Sequence, residues 1–209
     1  MYPATLTFWV EPTGSQLIGL RRYTSSNGEW TCADGWHQAM TKVSEEAADV
    51  NDEGVLHSYR GTFTDTDPRW PSTCEAGCGY EFTDDDRRQV WQDRIYHRPD
   101  TGEQWPSREL PPGSMHHSPW LGRVYPNIER PDDIVLQVKL PNGRDWCVDS
   151  QASNCTRPGE RHACWVRTGD PRTGQVTVGK GGNTCSAGAG SIAAGDYHGF
   201  LHAGVLTAG

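Results

Sequence analysis

Cys74-Glu75-Ala76-Gly77-Cys78-Gly79-Tyr80 is the stretch of this 209-residue chain on which its fold turns. Two thiols four positions apart can meet only if the backbone doubles back, and glycine supplies that freedom. A structural zinc takes four nitrogen or sulfur donors at tetrahedral angles, so two more ligands must come from elsewhere. Thr31-Cys32-Ala33-Asp34-Gly35-Trp36-His37 offers them, with Gly35 relaxing the loop between Cys32 and His37. The expected ligand set is Cys32, His37, Cys74 and Cys78, with His57 as the alternative fourth ligand. The competing reading is a pair of buried thiols in an aromatic core, with His37 capping a helix. Four protein ligands leave no vacancy for water or substrate, so zinc here is a structural cofactor.

The stretch resembles the knuckle of zinc ribbons and rubredoxins, Cys-x-x-Cys-Gly-Tyr, lengthened by one residue that Gly77 can absorb. Composition explains why such a staple is needed. Only 34% of residues are hydrophobic, against a usual apolar share of about 45–50% with glycine counted. Lean cores recruit metals, disulfides or partner subunits. Twenty-four Gly, 14 Pro and nine Trp favour aromatic-pinned turns and short strands over long helices. A formal charge of −8 argues against nucleic acid as a partner, since phosphate binding needs clustered Lys and Arg. The opening residues MYPATLTFWVEPTG lack a basic n-region, and their apolar run is too short to span a bilayer. Seven cysteines, an odd number, then point to metal ligation or free thiols in a reducing compartment.

Outward from the knuckle, the chain reads as mainly β: short antiparallel strands and hairpins, a zinc-ribbon-like N-terminal half and few short helices. LTFWVEP and LIGLRRYT flank Thr13-Gly14-Ser15-Gln16 as a hairpin, and GVLHSYRGTFT alternates like a strand. Pro99-Asp100-Thr101-Gly102 joins VWQDRIYHR to the stretch from Glu103. Asn142-Gly143, the preferred type I′ pair, returns IVLQVKL onto Asp145-Trp146-Cys147-Val148. Asp170-Pro171-Arg172-Thr173-Gly174 joins HACWVRTG to QVTVG. The helix candidates are His37 to Asp49 and Asp84 to Gln92, the latter behind the acidic Thr83-Asp84-Asp85-Asp86. Residues 105–131, rich in Pro and Gly, form a connecting arm between a β domain over 1–104 and a smaller one over 132–209 that carries a Gly-rich loop.

The second half holds Cys147, Cys155, Cys164 and Cys185, with His162 close to Cys164. A second zinc site is possible among them, but no pair has knuckle spacing. Cys147 and Cys164, set among Trp and Val, read as small buried hydrophobes, while Cys155 and Cys185 could be a thiol pair or a nucleophile. An enzymatic alternative places Cys185 as nucleophile with His198 as base, oriented by Asp149 or Asp196, and the run from Gly181 to Ser191 as an oxyanion nest. Gly-Ala-Gly runs also arise where another backbone passes close by. His116-His117 reads as a solvated pair.

Several stretches resemble those of uncharacterised proteins encoded by tailed phages and prophages. They are Leu20-Arg21-Arg22-Tyr23, Cys78 to Asp85, Asn154-Cys155-Thr156-Arg157-Pro158, Cys164-Trp165-Val166-Arg167, the run from Gly182 to Ile192, and Tyr197-His198-Gly199-Phe200-Leu201. The resemblance implies a phage setting and no activity. The expectation is a non-enzymatic structural subunit of a phage particle, a capsid-decorating or minor virion protein stabilised by zinc. Its partners would be other virion proteins or copies of itself, with no nucleic acid and no membrane. It would be made in the bacterial host cytoplasm and end in the virion. The alternatives are a cysteine-dependent hydrolase or transferase using Cys185 and His198, and an intracellular zinc-binding adaptor.

Overall fold

A computed structural model describes residues 2–24, 32, 36–59, 61–124, 128–160, 162–180, 185 and 190–209. In chain order the elements are β1 (Thr5–Leu6), β2 (Phe8–Trp9), β3 (Glu11–Tyr23), β4 (Gln38–Ala47), β5 (Arg87–His97), β6 (Gln104–Pro106), β7 (Ser114–His117), the helix α1 (Pro119–Val124), β8 (Leu136–Lys139), β9 (Asp145–Cys147), β10 (Val166–Asp170), β11 (Gln175–Gly179), β12 (Ile192–Ala194), β13 (Tyr197–His202) and β14 (Val205–Ala208). The chain is thus mainly β, with one short α-helix among the described residues. No helix of the described residues is long and apolar enough to cross a membrane.

Among the described residues the strands form three four-stranded sheets and a ribbon. Their orders are β4-β3-β5-β6, β2-β7-β8-β9 and β1-β14-β13-β12, with β10-β11 as the ribbon. All pairs are antiparallel except β2 with β7. The main core lies among the last two sheets and the ribbon. Trp9, Met115, Leu136, Val138, Trp146, Val176, Leu201 and Leu206 all pack into it. The first sheet is leaner: its buried apolar side chains include Ile18, Leu20, Trp91 and Ile95. Residues 48–86 lie against it largely through polar contacts. Gln92, for example, donates to the His57 carbonyl at 3.0 Å and accepts from the Tyr59 N–H at 2.8 Å.

Three expected hairpins are present. His97 pairs with Gln104, Lys139 with Asp145, and Asp170 with Gln175. The second uses a different turn from the one expected. Ala203 is the non-glycine residue with positive φ among the described residues, so Asn142 cannot supply the left-handed conformation of a type I′ turn. Gly143 alone is left-handed (φ 78°), and the Leu140 N–H reaches the Arg144 carbonyl at 2.8 Å, which makes a three-residue loop with a bulge.

Other expectations are corrected. Thr13-Gly14-Ser15-Gln16 does not turn the chain; β3 runs straight through it, with a register shift between Pro12 and Gln16 facing β5. Both helix candidates are strands. Residues 38–47 form β4 along β3, and residues 87–92 open β5, because β3 offers each a complete hydrogen-bonding edge. Thr83 and Asp86 close a turn ahead of β5, the Asp86 carboxylate accepting the Thr83 N–H at 2.7 Å. Among the described residues of 54–64 there is no strand beyond one bridge, Val50 with Leu56. The arm 105–131 carries β7, the parallel partner of β2 and neighbour of β8. Strand pairing also crosses the expected division elsewhere, since Leu6 lies opposite Val205.

Gly19 shows how closely the first sheet is packed. It faces Trp91 across β3 and β5, and a β-carbon there would stand 2.1 Å from the indole ring. The Arg108 guanidinium covers that ring, 5.0 Å from its centroid.

Candidate metal centres

Two loops and one strand end converge on the first centre. Residues 72–82 double back on themselves: the Phe82 N–H donates to the Ser72 carbonyl at 2.8 Å, and the Cys74 N–H to the Tyr80 carbonyl at 3.0 Å. Gly77 (φ 70°) and Gly79 (φ 83°) take left-handed conformations, which is how a four-residue spacing closes the knuckle. Glu75 ties the knuckle to β4, its carboxylate accepting from the Gln38 side chain at 2.9 Å and from the Met40 N–H at 3.2 Å. His37 stands one residue before β4 and stacks on Tyr80, with ring centroids 3.9 Å apart and planes 4° from parallel. Beneath the knuckle, Arg22 of β3 donates to the Thr83 carbonyl and lies over Phe82.

This folding brings together Cys32, His37, Cys74 and Cys78, whose ligand atoms all lie within 4.8 Å of one another. Cys32 Sγ is 3.5 Å from Cys74 Sγ, and Cys78 Sγ is 3.3 Å from His37 Nδ1. The loop glycine Gly35 lies outside the described residues. His57, the alternative ligand, is not in the cluster; its Nδ1 pairs with Asp49 Oδ1 at 3.0 Å on the surface.

A second centre lies in the other half. Cys155, His162, Cys164 and Cys185 also place their ligand atoms within 4.8 Å of one another. Cys164 Sγ is 3.5 Å and Cys155 Sγ 3.6 Å from Cys185 Sγ. His162 Nε2 is 3.4 Å from Cys155 Sγ and 3.8 Å from Cys164 Sγ. The loop between β9 and β10 supplies three ligands. It is held by the Cys164 N–H on the Ser150 carbonyl and by Gln151, which donates to the Glu160 carbonyl. Cys185 comes from the connection between β11 and β12.

The electrostatics of the two centres match. In the first, the Cys32 thiol is pushed up because in its protonated form it donates hydrogen bonds to Cys78 and Cys74. Burial pushes Cys74 up as well, but the Ala76 N–H, His37 and Cys32 outweigh it and bring the thiol down. In the second, burial raises Cys164. Cys185 is lowered, because the Thr156 N–H, His162 and both other thiols together overcome its burial. Each cluster therefore ionises unevenly by itself, and several thiolates at these separations need a cation between them. Either cluster could hold a metal ion.

Comparison with protein-family models, curated proteins and solved structures finds no match to the chain.

The residues of the enzymatic alternative have different partners. Cys185 is buried and faces the three other members of its cluster. Asp149 is engaged by Arg167 at 3.0 Å. Asp196 accepts from Tyr2 and Asn142, and His198 lies exposed on β13 beside Gly209. Most of the expected oxyanion nest, residues 181–184 and 186–189, lies outside the described residues. Cys164 is a member of the second cluster rather than an isolated hydrophobe. Cys147, outside both clusters, has its thiol pushed up to about 12 by burial. His116 is not solvated: it is buried, and His117 Nδ1 accepts the Val135 N–H at 3.0 Å.

The second cluster is weakly written in the sequence. Its ligands fall in no short motif. Its one signal is the stretch Ser150 to Ala163, which contains no large apolar side chain and must be anchored by other means.

Proposed function

We propose that the protein is a non-enzymatic structural subunit whose two Cys3His clusters each bind zinc. The observation that carries this reading is the size of the donor sets. Tetrahedral zinc, with Zn–S about 2.3 Å and Zn–N about 2.05 Å, sets sulfur–sulfur edges of about 3.8 Å and sulfur–nitrogen edges of about 3.6 Å. Three of the sulfur–sulfur separations here are 3.5–3.6 Å and three of the sulfur–nitrogen separations 3.3–3.8 Å, and all four ligand atoms of each set lie within 4.8 Å of one another. Three thiols and one imidazole also suit zinc better than hard, oxygen-seeking cations. Four protein ligands fill the coordination sphere, which favours a structural role over a catalytic one.

Metal analysis of the purified chain tests the reading. Two equivalents of zinc are expected, falling to one in Cys74→Ser/Cys78→Ser and in Cys164→Ser/Cys185→Ser. Less than about half an equivalent at either cluster overturns it there.

A place in a phage particle, among other virion proteins or copies of this chain, is supported by the sequence resemblance alone. Mass spectrometry of purified particles tests it, and absence of the chain as a stoichiometric component would remove it.

A further inference from the structure

The two centres differ in what surrounds them. In the second, Cys164 and Cys185 are 0% and 3% exposed and pack with Ala152 and Trp165. The Trp165 ring meets Trp146 of the main core edge to face, with centroids 5.4 Å apart. In the first, Cys74 is buried, Cys32 and His37 are half-buried, and Cys78 is exposed. A zinc ligand is exchanged when an incoming donor reaches the metal and expands its coordination, so the shell around a site governs how readily it gives up its ion. The first centre offers that access on its Cys78 side, and the second is sealed into the core.

The first centre also holds a segment that has little else to hold it. Among the described residues of 48–86, Trp70, Cys74 and Phe82 are the buried ones, and Cys74 is itself a ligand. No described member of the main core comes from this segment. Its contacts with the first sheet are polar and fall on one face. Arg22 donates to the Pro71 and Thr83 carbonyls, Gln92 to the His57 carbonyl and Arg94 to the Gly54 carbonyl. Regions with so few buried apolar groups open at low free-energy cost. Metal bound at Cys74 and Cys78 would tie the segment to Cys32 and His37, both outside it. On the covered face lie Ile18 and Leu20, each 0% exposed, which alternate along β3 with Gln16 and Arg22.

We infer that the first centre is an exchangeable zinc site that latches residues 48–86 onto the first sheet. With zinc bound the segment stays in place. When zinc leaves, the segment comes away and bares the face of Ile18 and Leu20, while the second zinc and the main core persist. The ligand this latch answers to is the free zinc ion. The inference rests on both clusters binding zinc.

The test uses the full chain carrying two equivalents of zinc, challenged with EDTA. Released zinc is followed with a chromogenic indicator, and backbone protection by hydrogen exchange with mass spectrometry. One equivalent should leave at least about tenfold faster than the other, the scale on which a metal site's surroundings act. In the resulting one-zinc form, peptides carrying the Cys74 and Phe82 amides, which are bonded across the knuckle, should lose protection. Peptides from β8 and β13 should keep theirs, and one equivalent of added zinc should restore the first set. Cys78→Ser alters an exposed side chain, so it keeps the fold, and it should lose the fast equivalent and retain the slow one. Two equivalents that leave together, or a one-zinc form in which 48–86 stays protected, would overturn the latch and leave zinc binding standing. A purified chain with no zinc at the first cluster would remove both.

Discussion

Arg167 Nε lies 3.0 Å from Asp149 Oδ1, with 1% and 4% of the two side chains exposed. The same guanidinium donates to Asp132 and to the Ile134 carbonyl, while Asp149 also accepts the Leu136 N–H at 2.8 Å. Ribbon β10-β11 is thereby fastened to the start of β8 by one buried cation between two carboxylates. Removing that cation strands both acids. Arg167→Met should cost about 3–5 kcal/mol in denaturant unfolding. A loss under about 1 kcal/mol would show that the network is solvated and structurally idle.

Thiol reactivity should report the clusters directly. Three cysteines sit in each cluster and Cys147 outside both. In the native chain a thiol reagent should find at most Cys147, and that slowly, since its thiol is buried and held protonated. A strong chelator should expose the other six without denaturant, with a fall in melting temperature. Fast reaction of several thiols before chelation would contradict metal ligation.

Stability should decline in mild acid because of His116. Its folded pKa, about 4, lies below the ordinary 6.5 because burial disfavours the imidazolium. Between these values the unfolded chain binds the extra proton, so stability is present above pH 6.5 and is lost as pH falls towards 4. The full shift corresponds to roughly 3 kcal/mol. Asp145 and Lys139 act on it in opposite directions, so neither dominates. His116→Phe should flatten the stability profile across this window, and an unchanged slope would refute the assignment.

Gly19→Val should destabilise the first sheet by about 1–3 kcal/mol, since the added side chain meets the Trp91 ring and overpacks the site. Gly19→Val/Trp91→Leu should recover part of that loss. Thermal melts of the pair decide it, and additive losses would mean that the two residues do not conflict.

Legibility in the sequence followed the range of the interaction. The turns at Pro99–Gly102, Asn142-Gly143 and Asp170–Gly174 were readable because their chemistry is local, although the type I′ form at Asn142 was not what formed. The four residues of the first cluster could be named because Cys74 and Cys78 share one short loop. Residues 38–47 mislead because Gln, Ala, Met, Lys and Glu favour helix in isolation. They become β4 through pairing with β3, which local preference cannot register. The second cluster was legible only as a possibility, with its ligand set unassigned, for the same reason. Its ligands are spread over residues 155–185, and only the packing of the loops after β9 and β11 brings them to one point.

The pairing of Leu6 with Val205 sets an order of events. Strands β3 to β6 find one another within residues 11–106, so that sheet can assemble while the rest of the chain is still being synthesised. The main core cannot. Leu206 is one of its members, and β1 has no partner until β14 exists. Closing so distant a contact costs loop entropy before any burial repays it. Until then the apolar faces around Trp9 and Trp146 have nothing to close over them, and exposed apolar surface of that kind is what makes incomplete chains prone to aggregate.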